Sequence, residues 1–105
     1  MSWQEHIKAP HLAVTDAVSY VKRLSSERYF VWENEGVNDL ETGSGHAERR
    51  VTGSTDLFTK IPHDPWAQEF EAALDASPYI EWEFNSLQYE DETGFFHHEW
   101  AWSVI

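Results

Sequence analysis

The 105-residue chain contains no cysteine. That excludes a disulfide framework, a thiolate nucleophile and any zinc or iron–sulfur site built on Cys ligands. Basic residues are scarce: seven Lys and Arg stand against 19 Asp and Glu, giving a formal net charge of −12. Such a surface repels phosphate, which argues against direct binding to nucleic acid or anionic lipid. No stretch approaches membrane-spanning length, and MSWQEHIKAPHLAV lacks a basic segment followed by a continuous apolar run. The expectation is a cytoplasmic protein. A glycine-rich phosphate loop, a nucleophile elbow and an HExxH pattern are also missing from the sequence, so no cofactor and no catalytic residue are expected.

What the chain does have is aromatic mass. Aromatics make up 15% of the residues and include six tryptophans, within 41% hydrophobic residues overall. Chains that stay disordered at comparable charge are poor in these residues. A single folded domain over 1–105 follows, since this length supports one shared core and no second.

Local patterning gives the elements. Val14, Ala17, Val18, Val21 and Leu24 recur at helical spacing between Pro10 and Glu27, which predicts a first helix opened by Pro10 or capped by Thr15. RYFVWEN, residues 28–34, reads as a strand, and the Gly-, Asn- and Asp-rich run after it predicts a mobile loop over 35–45. HAERRVTGSTDLFTKI alternates loosely, with Ala47, Val51 and Leu57 on one parity and Glu48, Arg50, Thr52 and Asp56 on the other. Gly53 marks a bulge or break there. Asp64 as cap, Pro65 in the first turn and Ser77-Pro78 as stop bound a second helix, whose stripe is Trp66, Phe70, Ala73 and Leu74.

From Tyr79 the period is two. Ile80, Trp82 and Phe84 share one strand face, and Phe96, His98, Trp100, Trp102 and Val104 share a face of the next. Bringing both sets onto one core requires opposed residue numbers with an even sum. A four-residue loop closed by Glu90 and Phe95 fails that test. The predicted turn is therefore Glu92-Thr93-Gly94, with Phe84 facing Trp102 and Trp82 facing Val104. The expected fold is α+β in the order αββαββ: a four-stranded antiparallel sheet with both helices on one face.

In EDETGFFHHEWAWSVI, adjacent strand residues point to opposite faces, so His97 and Glu99 cooperate while His98 turns away. A metal site there needs a third ligand, and neither His6, His11, His46 nor Glu83 is placed near it by sequence. The expectation is that no metal is bound. The coherent constellation is negative charge on an aromatic scaffold, with Glu69, Glu71 and Asp75 on the second helix and Glu81, Glu83 and Glu99 on the strands. These six are the expected partner-binding set, imitating the phosphates that a basic groove receives.

In size and charge the chain resembles small acidic inhibitors, among them nuclease-immunity proteins and phage-encoded antagonists of restriction or CRISPR systems. This resemblance rests on no motif and assigns no residue. It implies a non-enzymatic inhibitor or interaction module covering a basic protein surface, such as that of a nucleic-acid-handling protein, with aromatics as anchors. Two other readings stay open: a small metal-dependent enzyme using His97 and Glu99, and a structural protein that self-assembles through an open aromatic sheet. A solvated acidic surface, or one adapted to high salt, accounts for the charge without any partner. The oligomeric state is not specified by the sequence.

Overall fold

A computed structural model of the chain describes residues 2–41 and 47–105, with the side chains of 38–48 left out of the description. The elements are α1 (Trp3–Leu12), β1 (Val18–Tyr20), β2 (Arg28–Glu41), β3 (Ala47–Thr59), α2 (Pro65–Asp75), β4 (Ile80–Glu90) and β5 (Phe95–Val104). They form an α+β fold with a five-stranded mixed sheet in the order β1-β2-β3-β5-β4. The pairings β2–β3, β3–β5 and β5–β4 are antiparallel, whereas β1 runs parallel to β2. The four-stranded antiparallel expectation is thus corrected by one short parallel edge strand.

That extra strand comes from the segment expected to be the first helix. Val18, Ser19 and Tyr20 pair with Phe30, Val31 and Trp32. Val21 then takes a positive φ of 71° and turns the chain away. Val14, Thr15, Val18 and Val21 are β-branched and weak helix formers, and pairing with β2 overrides their 3.6-residue spacing. The helix lies upstream instead. Ser2 caps α1 by accepting from the Glu5 amide at 3.3 Å. Ile7, Pro10 and His11 form its buried stripe, with Trp3 packed beside them. Pro10 sits in the last turn and gives up only one amide of the ladder.

The second helix follows its sequence signals. Asp64 accepts from the Trp66 amide at 2.9 Å, and Phe70 and Leu74 are fully buried. Both helices cover one face of the sheet. The main core lies between them and Phe30, Trp32, Val51, Leu57, Ile80, Trp100, Trp102 and Val104.

A polar relay crosses this core. The Trp102 indole donates to Thr55 Oγ1 at 2.9 Å, and His11 contacts Thr55 Oγ1 at 2.8 Å and the Ile7 carbonyl at 2.7 Å. A carbonyl only accepts, so His11 Nδ1–H donates to Ile7; in the neutral imidazole Nε2 then accepts the Thr55 hydroxyl proton while the Thr55 oxygen accepts from the indole. Burial selects that neutral form over the imidazolium. Burial, opposed by the bond to the Ile7 carbonyl, lowers the His11 pKa to about 4.

Two bulges set the registers. One falls between Asn34 and Gly36, opposite Gly53 and Thr52. Gly53 is required because a Cβ there would collide with the Glu33 carbonyl and the ring of Trp102. The other falls between Phe84 and Ser86. It overturns the predicted three-residue loop: Glu90 does pair with Phe95, across a four-residue turn, with Gly94 at φ 79°. The odd-sum register holds from Glu90 to Ser86. Asn85 is the extra residue, and beyond it Phe84 faces Trp100 and Trp82 faces Trp102.

The loop expected over 35–45 falls partly on a strand and partly outside the described residues. Residues 35–41 belong to β2, whose pairing with β3 runs from Arg28–Thr59 to Glu41–Ala47, while 42–46 lie outside the described residues. Pairing of β3 with β5 starts at Val51. Asn38–Glu41 and Ala47–Arg50 therefore form a two-stranded arm beyond the sheet, and the molecule is elongated to 51 × 23 × 21 Å.

Candidate functional site

The sheet face away from the helices is the open face. It is covered at one end by the chain between β1 and β2, where Arg23 lies 4.0 Å over the ring of Phe58 and reaches Glu90 at 3.4 Å. Beneath it Tyr29, Val31 and Phe58 form a second, smaller buried cluster.

Alternation along β5 separates the paired histidines, as their adjacency predicts. His98 is buried on the helix side, its ring stacked with Trp100, and burial lowers its pKa. Its Nε2 has no hydrogen-bond partner among the described residues. His97 lies on the open face against Phe58, with ring centroids 4.4 Å apart. Its Nε2 meets Asp56 Oδ1 at 2.7 Å, and its Nδ1 faces Glu90 Oε2 at 3.7 Å. The bond to Asp56 raises the His97 pKa; burial opposes this, and the charges of Asp56, Glu90 and Glu99 add to it. Glu90 is held below the usual carboxylate range by the Thr93 hydroxyl, with Arg23 and His97 contributing against burial.

Asp56 is the residue that sequence reasoning missed at this site. Its parity was legible, since it alternates with Leu57 on β3. Its partners were not, because they follow from the β3–β5 register that sets Asp56 opposite Glu99. One donor atom from each of Asp56, His97 and Glu99 lies within 4.8 Å of the others. Glu99 is steadied by Asn85 Nδ2 at 3.1 Å, from the bulge of β4.

The six acids expected to bind a partner do not share a surface. Glu81, Glu83 and Glu99 belong to the open face, whereas Glu69, Glu71 and Asp75 lie on α2, across the sheet. Several are engaged internally. Glu71 accepts from the Trp100 indole at 2.9 Å, Asp75 from the Trp82 indole at 2.8 Å, and Glu81 lies 3.4 Å from Arg50. On the open face, Glu35, Glu81 and Glu83 border a shallow trough of about 350 Å³ floored by Thr52, Ala101 and Ser103.

The remaining candidate surface is β4 itself. It is an edge strand of 11 residues, and Phe84, Leu87 and Tyr89 on it are about half exposed. No helix among the described residues is long and apolar enough to cross a membrane.

These features define an α+β protein with a helix-covered sheet, an open acidic face, a free edge and a projecting arm. No protein-family model matches the chain, and no curated protein matches it. Its fold is similar to that of a chain in the virion of a native gene transfer agent particle, with a TM-score of 0.57 at 12% identity. The match covers 98% of this chain and 90% of that one.

Proposed function

We propose that this chain is a non-enzymatic assembly protein, a structural component of a phage-like particle that binds other protein subunits through its sheet. The observation that carries this reading is the likeness of fold, over nearly the whole chain, to a virion chain of the gene transfer agent. Two features support it. An isolated two-stranded ribbon is marginal in water, so the arm of β2 and β3 gains most from packing against a neighbour. The β4 edge combines free backbone groups with Phe84, Leu87 and Tyr89, an apolar row that natural edge strands ordinarily blunt.

A second reading is an acidic inhibitor that covers a basic protein surface, such as a nucleic-acid groove. The trough bordered by Glu35, Glu81 and Glu83 favours it. Either role begins in the cytoplasm.

Light scattering and negative-stain imaging across concentration and salt separate the two. The assembly reading expects oligomers that persist in high salt and are lost on Leu87→Lys or on deletion of residues 38–48. A chain that stays monomeric at millimolar concentration, yet captures a basic protein from its host in a salt-sensitive complex, would replace assembly with inhibition.

A further inference from the structure

We propose that Asp56, His97 and Glu99 form a binding site for one divalent cation of the zinc or manganese class, set on the open face where β3 and β5 pair. The inference is independent of the assembly role.

Three observations carry it. The donor set is one imidazole and two carboxylates, a combination suited to borderline divalent ions. The donors already lie within 4.8 Å of one another, so modest side-chain rotations bring them onto one ion. The register also sets Asp56 directly opposite Glu99, both partly buried. Like charges opposed across strands are destabilising, and a divalent cation between them takes over the neutralisation that His97 supplies when it bonds Asp56 as an imidazolium.

The surroundings resemble the outer shell that metal ligands need. When Nε2 of His97 turns from Asp56 to the ion, Nδ1 still faces Glu90 Oε2 across 3.7 Å, and closing that gap to a hydrogen bond fixes the ligating tautomer. Stacking on Phe58 restrains the ring, and Asn85 holds one oxygen of Glu99 so that the other is free to ligate. The bulge in β4 thereby acquires a purpose, since it supplies Asn85 to this site. Three protein donors leave further positions for water or for a donor from a neighbouring subunit.

The test is calorimetric titration of chelator-treated protein with Zn²⁺ and with Mn²⁺, alone. Saturable one-to-one binding is expected, abolished by His97→Ala and weakened at least about tenfold by Asp56→Asn or Glu99→Gln. Glu90→Gln, which alters only the outer shell, is expected to weaken binding about tenfold. Glu83→Gln, on the same face but outside the cluster, is expected to leave it unchanged. In the unmodified protein, Zn²⁺ should shift the imidazole nitrogen resonances of His97 and of no exposed histidine such as His63. Absence of saturable binding, equal weakening by Glu83→Gln, or a response at His63 in place of His97 would each overturn the site.

Discussion

Asn85 donates to Glu99 from a bulge that places one extra residue between Phe84 and Ser86. The register is regular on either side of it, so the bulge lets an odd-sum turn and an even-sum core coexist in one hairpin. Deleting Asn85 should therefore iron the bulge out and leave Trp82, Phe84 and Leu87 on their present side. The expected loss is one hydrogen bond, about 1 kcal/mol, or a fall in Tm of about 4–8 °C with cooperative unfolding retained. A melt followed by near-ultraviolet circular dichroism checks this, and loss of the tryptophan signal would show that the bulge sets the fold.

Gly53 leaves no room for a Cβ, held as it is between the Glu33 carbonyl and the Trp102 ring. Gly53→Ala must displace either backbone or a fully packed indole, and overpacking of this kind costs about 1–3 kcal/mol. Denaturant unfolding monitored by tryptophan fluorescence should show a lower midpoint together with a shifted native emission maximum.

Acidification should weaken the fold through two buried groups. The folded pKa of His11, about 4, lies below its ordinary value of 6.5, so the native state binds fewer protons than the unfolded chain between those limits. Its contribution is fully present above about pH 6.5 and falls by about 3 kcal/mol as pH drops to 4. Burial tends to raise the Asp64 pKa, but bonds from Arg28, Thr59 and the Trp66 amide hold it below the carboxylate range. Its share is lost as pH falls below the ordinary carboxylate range. His97 acts in the opposite sense: its raised pKa stabilises the fold at low pH, and that contribution fades as pH rises through the folded value. Stability measured from pH 8 to 3 should fall most steeply between 6.5 and 4, and Thr55→Val, which breaks the relay, should alter that slope.

Asp64 accepts from Arg28 Nε at 2.8 Å and Nη2 at 2.5 Å, and from the Thr59 hydroxyl at 2.7 Å, while Arg28 stacks 3.7 Å over Trp66. Asp64→Ala removes the α2 cap and strands two partners. The cap alone is worth about 1 kcal/mol, and an unsatisfied buried group about 1–3 kcal/mol more. A destabilisation of about 2–4 kcal/mol is expected by chemical unfolding, discounted for the partial exposure of Arg28.

The sequence by itself determined the α+β class, the bounds of α2 from Asp64, Pro65 and Pro78, and the faces of β5. Those follow from short-range chemistry: a cap, a missing amide, and a two-residue period acting within a few positions. It also separated His97 from His98, since strand alternation needs no partner. Only the tertiary structure decided that Val18–Tyr20 would be a strand, because backbone pairing with β2 outweighs weak helical propensity. Only it decided that α1 would bury His11, because that imidazole is acceptable in the core solely through Thr55 and Ile7. The bulge at Asn85, the grouping of Asp56 with His97 and Glu99, and the division of the six acids between two faces were likewise settled by register and layer. Register and layer arise from contacts between residues far apart in the chain, and no local period encodes them.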